Sequence, residues 1–211
     1  MRRARRLPLQ ELAPYLLTAP DPPRPVSWPE VFGNDHPVEI EVGCGKGLFL
    51  LTAARACPQT NFLGIEIVRK YQLYTATRMA KRGSKNVRVA CADARQFLHD
   101  CASSSVQAIH VYFPDPWWKK RHLKRRLFTP EFVERGARVL RPGGRLHVVT
   151  DVEPYFRVIS ELLSSQAQLV PLPPPDSNQP THDLDYLTNF ERKFRKEGRA
   201  IYRGMYERRS D

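Results

Sequence analysis

Five short apolar runs, at 37–42, 61–67, 87–91, 107–113 and 144–150, alternate with segments of helical period at 46–56, 69–82, 94–100, 129–140 and 153–165. Strands buried on both faces read as continuous apolar runs, and parallel neighbours need a crossover helix between them. The alternation therefore predicts an α/β fold with a doubly wound, mostly parallel sheet covered by helices on both faces. A helix-compatible stretch at 189–197 and a strand-like run at 199–206 close the chain. Eight of the 19 prolines lie in the first 37 residues and five more in 171–180, so both stretches read as irregular. The expected organisation is a basic, proline-rich arm over 1–36 and one domain over 37–211. Within that domain, 171–187 is an irregular insert and 188–206 carries a terminal motif and the last strand. With 211 residues the chain has room for one core and not for two.

No run approaches the roughly 18 to 20 apolar residues of a membrane span, and the stretch after the first arginines is broken by Pro8, Glu11 and Pro14. Neither a span nor a secretory signal is expected. Cys44, Cys57, Cys91 and Cys101 show no C-x-x-C spacing, so a disulfide framework or a metal site is not expected either, and a cytoplasmic location fits.

In open α/β sheets ligands bind beyond the carboxyl ends of the strands. The first run ends in Glu41-Val42-Gly43-Cys44-Gly45-Lys46-Gly47, a glycine-rich turn opening a helix; the glycines at 43, 45 and 47 do not have the G-x-G-x-x-G spacing of a dinucleotide fingerprint. The next four runs close with Glu66, Asp93, Asp115 and Asp151. Any one of these acids can be a helix N-cap, but five at one sheet edge point to a ligand. Carboxylates repel phosphate in a confined crevice and suit a cationic, hydroxyl-rich ligand. S-adenosyl-L-methionine has a sulfonium, an ammonium and a ribose diol, and Glu66, about 20 residues beyond Gly45, stands where an acid accepts ribose hydroxyls. Glycine turn and acids together point to the class I methyltransferase fold.

The net charge of +12 is unevenly placed. Residues 67–92 hold seven Lys or Arg and no acid, 119–126 hold six and no acid, and 191–209 hold eight against three acids. Such segments suit a polyanionic partner. The tract 119–126 follows Phe113-Pro114-Asp115-Pro116-Trp117-Trp118, in which two prolines restrain Asp115, the tryptophans offer stacking faces and the cations offer phosphate contacts.

These residues resemble the bacterial tRNA (guanine-N7-)-methyltransferase family over about residues 28 to 206. The likeness rests on Val31-Phe32-Gly33-Asn34, the 41–47 turn, Gly64-Ile65-Glu66, the loop from Phe113 to Arg126, Thr150-Asp151, Thr188-Asn189-Phe190-Glu191 with Lys193-Phe194, and Gly198 to Arg203. It implies a Rossmann-like fold with a seven-stranded sheet, S-adenosyl-L-methionine as cofactor, and methylation of guanosine N7 in the tRNA variable loop. By the same resemblance Glu41, Glu66, Asp93 and Asp115 contact the cofactor, Asp115 is the active-site residue, and Lys119, Asp151 and Thr188, Asn189, Phe190 and Glu191 meet the RNA. Three positions depart from the family pattern: Glu66 where Asp is frequent, Trp118 where Pro or His is frequent, and Asn189 at a variable place.

Guanine N7 carries a lone pair and no hydrogen, so its methylation needs no general base, and a fixed carboxylate stabilises the positive charge that grows on the purine. His122, within the cationic run, reads as a phosphate or backbone partner rather than an acid or base. Cys44 reads as a small packed residue, and Thr188 with Glu191 has the spacing of a capping box. Two other readings stay open: an exocyclic-amino methyltransferase, whose loop has two prolines after its acid or amide, and a non-catalytic RNA-binding scaffold. Monomer and homodimer are both compatible with the sequence.

Overall fold

A computed structural model describes residues 6–18, 25–173 and 188–210. One eight-stranded sheet runs through the molecule. Its strands are β1 (Leu16–Leu17), β2 (Val38–Val42), β3 (Asn61–Glu66), β4 (Val87–Cys91), β5 (Val106–Tyr112), β6 (Leu140–Thr150), β7 (Leu169–Leu172) and β8 (Tyr202–Arg208), in the spatial order β1-β4-β3-β2-β5-β6-β8-β7. All pairings are parallel except those of β8, which runs antiparallel to β6 and to β7. The strand order reverses between β2 and β5, so the turns leaving those two neighbours flank the crevice in which such sheets bind ligands.

The helices that the periodicity predicts form within a residue or two of the expected ends: α3 (Leu48–Ala56), α4 (Arg69–Ala80), α5 (Ala94–His99), α6 (Pro130–Val139), α7 (Glu153–Ser164) and α8 (Asn189–Lys196). The apolar stripes of α5, α6 and α7 bury Phe97, Phe132, Ile159 and Leu163 against Ile40, Ile65, Ile109 and Leu146 on one sheet face. On the other face α3 and α4 bury Leu50, Phe49 and Met79 against Phe62 and Val89.

Among the described residues the sheet has eight strands rather than seven, and the two that the apolar pattern did not mark are its edges. Residues 6–18 form α1 (Leu9–Leu12) and β1, with Leu12 fully buried beside Leu73 and Ala76 of α4. Then α2 (Trp28–Phe32) buries both of its terminal aromatic residues in the main core. The expectation of an irregular arm up to residue 36 thus gives way, over the described residues, to packed elements continuous with the domain. At the other edge, β7 begins the proline-rich stretch: Pro171 lies in a strand paired only with β8, where a missing N–H costs no ladder bond. The remainder of the expected insert, 174–187, lies outside the described residues.

Candidate active site

The turn after β2 reverses the chain through left-handed values at Gly43, Gly45 and Gly47 (φ +75°, +51° and +64°). Space around Gly43 is open, whereas a Cβ on Gly47 would stand 2.4 Å from Thr75 Cγ2, so the turn packs closely on α4 at one end and is free at the other. Main-chain donors fix its path: Gly43 N–H donates to Ile65 O (2.8 Å), and Gly45 N–H donates to Glu66 Oε2 (2.9 Å). Two residues of α4 complete the anchoring. Thr75 Oγ1 donates to Gly45 O (2.8 Å) and Arg78 Nη1 donates to Lys46 O (3.1 Å). Neither stood out in the sequence, because a Thr and an Arg inside a helical period carry no mark of what they face. Cys44 is buried against Gly64, and burial together with the charges of Glu41 and Glu66 pushes its thiol well up, as suits a packed residue rather than a nucleophile.

The five strand-end acids have five different environments. Glu41 is 3% exposed and its Oε2 has no hydrogen-bond partner; burial, reinforced by the charge of Glu66, holds its carboxyl well above the ordinary value of 4.5. Glu66 is also buried, and its second oxygen accepts from Val68 N–H (2.9 Å). Asp93 caps α5, accepting from Arg95 N–H (2.9 Å), and its carboxylate pairs with the Arg95 guanidinium at 2.7 Å, which holds its pKa below normal. Asp115 is exposed and has no hydrogen bond or ion pair among the described residues. Asp151 is not a cap: Val152 takes that position, and the Asp151 carboxylate forms an ion pair with Arg199.

A pH-dependent consequence follows for Glu41. A carboxyl with a raised folded-state pKa binds its proton more tightly in the fold, so stability falls as pH rises above the unfolded value near 4.5. Glu41→Gln, measured without cofactor by thermal unfolding, is expected to raise the midpoint at pH 8 by roughly 2–4 °C. The gain should vanish near pH 4, where the wild-type carboxyl is protonated.

The Asp115 loop leaves β5 through a strained path. Phe113 and Trp117 have φ +53° and +42°, left-handed values that cost on the order of 1–3 kcal/mol each in residues other than glycine. Strain of this kind persists only where neighbours over-determine it. Arg126 holds the far side, donating from Nε to Pro116 O (2.8 Å) while its guanidinium lies over Trp118 (5.5 Å) and Tyr155 (5.1 Å). Arg125 covers Trp117 at 5.0 Å, and His122 meets the same ring edge-on at 5.4 Å. Neither tryptophan belongs to the core; Trp118 is 54% exposed. Of the six loop cations, Arg125 and Arg126 thus serve the loop itself. Lys119, Lys120, Arg121 and Lys124 are exposed with no partner among the described residues.

The terminal motif docks beside this loop. Thr188 caps α8, its Oγ1 accepting from Glu191 N–H (3.0 Å), and Glu191, 3% exposed, takes ion pairs from Arg195 (3.0 Å) and Arg203 (2.5 Å). Phe190 is 57% exposed and stacks on Phe194 at 6.0 Å, with Phe113 6.3 Å away. The side chain of Asn189 lies outside the described residues. Thr188 and Glu191 therefore build the helix end, and among the described side chains of the motif Phe190 is the one that faces outward beside Phe113.

Beside Phe49 of α3 lies a polar network that sequence reasoning missed. Glu39 Oε2 and His110 Nε2 are 2.8 Å apart, His110 Nδ1 and Tyr112 Oη 2.9 Å, and His147 stacks on His110 at 4.9 Å. Burial opposes the charge on Glu39, but the hydrogen bond and charge of His110, with His147 behind, keep its carboxyl below normal. Burial and the His110 charge push His147 down to about 4. A cavity of about 310 Å³ lies at the opposite, amino-terminal ends of the strands, near the starts of β2 and β5, away from the glycine turn and the strand-end acids.

A family model described as "Putative methyltransferase" matches residues 35–204. A tRNA (guanine-N(7)-)-methyltransferase of Rhodopirellula baltica is 43% identical over 210 residues, covering 96% of this chain and 78% of the relative. The chain belongs to the tRNA (guanine-N(7)-)-methyltransferase family. Members from Rubrobacter xylanophilus (36% identity, 84% of this chain and 79% of the relative) and Streptococcus mutans (34%, 83% of each) agree. Among solved structures, the 16S rRNA methyltransferase KamB aligns with TM-score 0.63 at 15% identity (86% of this chain, 92% of that one). The aminoglycoside resistance methyltransferase NpmB1 aligns with 0.58 at 21% (82% and 87%). At those identities the likeness concerns the fold, which is the Rossmann-like α/β methyltransferase fold expected from the sequence. Within this family member, no group of three or more His, Cys, Asp or Glu side chains is placed to hold a metal ion among the described residues. No described helix is long and apolar enough to cross a membrane.

Proposed function

We propose that this chain transfers a methyl group from S-adenosyl-L-methionine to N7 of a guanosine in the variable loop of tRNA. The observation that carries the reading is the juxtaposition, across the β2/β5 reversal, of a glycine turn with a buried unpartnered carboxylate and a strained loop presenting an exposed, unpaired one. The residues present fit the cofactor. Glu41 Oε2, buried without a donor, suits the ammonium of the methionine part, and the open space at Gly43 lets that part approach the main chain. Both Glu66 oxygens already accept a backbone N–H, and each carboxylate oxygen keeps a further lone pair for a ribose hydroxyl. The exposed Ile67 and Val68 beside it offer an apolar face to the base, and Asp93, held by Arg95, borders the same edge. When bound, the cofactor supplies an electrophilic methyl on sulfur.

The protein then has to orient the guanine and to stabilise the charge that grows on it. Asp115, held between two prolines and two strained residues, offers an acceptor to the Watson–Crick edge and a negative charge to the methylated purine. Phe190 and Trp118, both exposed beside the loop, offer stacking faces that offset the cost of extruding a base from folded RNA. Lys119, Lys120, Arg121 and Lys124 are placed to meet backbone phosphates. Their contribution is read by salt. Lys119→Ala is expected to weaken tRNA binding at all sequences and to reduce the slope of log K against log[salt] by about 1, while cofactor affinity stays nearly salt-independent. Filter binding over a salt series measures the first effect and calorimetry the second.

The order Pro114-Asp115-Pro116 weighs against the exocyclic-amino alternative, and the retained Glu41 and Asp115 weigh against a scaffold. Product analysis separates the three readings, since only the first puts the methyl on guanine N7.

A further inference from the structure

The strained backbone at Phe113 needs a restraint on its own side, and one is built from residues of the chain's end. Phe113 N–H donates to Val149 O (2.7 Å), which fixes the main chain, and its ring meets Phe194 of α8 at 5.4 Å with planes 59° apart. Phe194 is 8% exposed. The Arg199 guanidinium lies 4.2 Å from the centre of the Phe194 ring, and the Arg199 N–H donates to Phe194 O (3.0 Å). The same guanidinium pairs with the carboxylate of Asp151, whose side chain is 9% exposed at the end of β6. An uninterrupted train of contacts, Asp151 to Arg199 to Phe194 to Phe113, thus reaches the residue two before Asp115.

We propose that Phe194 and Arg199 are positioning residues for Asp115, bracing the loop so that its carboxylate stands in one place relative to the glycine turn. The inference rests on the reading of Asp115 as the active-site acid. It also gives Asp151 a role different from RNA contact, because that carboxylate is occupied in orienting Arg199. Both the flat face and the charge of Arg199 are in use within the protein, which sets it apart from the free loop lysines. The packing suits a brace, because a mostly buried aromatic ring in contact with both a guanidinium and the Phe113 ring has little freedom to let Phe113 relax to ordinary backbone angles.

The test compares wild type, Arg199→Ala, Phe194→Leu, Phe194→Ala and the double alanine variant by two readouts. The first is hydrogen exchange at the Asp115, Trp117, Trp118 and Lys119 amides. The brace predicts exchange about 10-fold faster there in each variant, with the β2 and β3 amides unchanged. The second is single-turnover methylation of an unmodified tRNA transcript. A displaced Asp115 should slow it by about 30–100-fold, with tRNA and cofactor dissociation constants within about threefold of wild type. Phe194→Leu should recover part of the Phe194→Ala loss, and the double variant should be no slower than the slower single, since both residues act through one ring. Unchanged loop exchange in Arg199→Ala and Phe194→Leu overturns the proposal. So does a loss confined to tRNA affinity, which would make Arg199 a phosphate contact. If Phe194→Ala does not fold, those two variants carry the test. A wild-type protein that transfers no methyl to guanine N7 defeats the functional reading instead, and exchange still reports on the brace.

Discussion

Asp115→Ala is expected to slow methyl transfer by about 100-fold or more while cofactor affinity falls less than about 10-fold. The expectation rests on geometry. Asp115 is the exposed strand-end acid without a partner among the described residues, and the left-handed backbone at Phe113 and Trp117, two residues to either side, constrains the main chain that carries it. An exposed carboxylate has little electrostatic effect in water; its effect grows once docked RNA displaces water from the loop. Asp115→Asn separates the two roles open to the carboxylate. If Asn restores most of the rate, hydrogen bonding to the base edge dominates, and if Asn is as slow as Ala, the negative charge does. Rapid-quench kinetics with saturating tRNA and cofactor give the rate directly.

Glu66→Ala is expected to weaken cofactor binding by about 30–100-fold, the equivalent of losing roughly 2–3 kcal/mol of charge-assisted hydrogen bonding. Two effects combine. The carboxylate holds the glycine turn through Gly45 N–H and the start of α4 through Val68 N–H, so its removal leaves two donors to water and loosens the cradle. It also removes the acceptor that we propose for the ribose hydroxyls. Glu66→Gln keeps one acceptor oxygen but turns an amide donor toward a backbone donor, so it should recover only part of the loss. Calorimetric titration with S-adenosyl-L-methionine reads both variants, and affinities within about threefold of wild type would remove Glu66 from the cofactor site.

Much of this architecture was legible in the chain because it follows from period. Strands buried on both faces and helices with one apolar stripe leave opposite marks, so β2 to β6 and α3 to α7 could be placed to within a few residues. The sheet edges were not legible for equally physical reasons. A two-residue strand such as β1 has no period, and the prolines around it and at Pro171 read as breakers although an edge tolerates them. The five strand-end acids look alike in sequence and differ in space because their partners come from elsewhere. Asp93 finds Arg95 next door, whereas Asp151 pairs with Arg199, which lies far along the chain beyond α8. Thr188 and Glu191 show the opposite case: their spacing announced a helix start, and the structure makes Thr188 the N-cap while tying Glu191 to two arginines. The Glu39, His110 and His147 network was invisible, because polar residues inside apolar runs carry no sign of the neighbouring strand they face.

What decides the function is the atom that receives the methyl group. Unmodified tRNA transcript incubated with the protein and methyl-labelled S-adenosyl-L-methionine, then cleaved by chemistry selective for 7-methylguanine, locates the label directly. Cleavage is expected at one guanosine of the variable loop, carrying all the label. Label on an adenine or an exocyclic amine, or tRNA that binds without acquiring any, is incompatible with transfer to guanine N7.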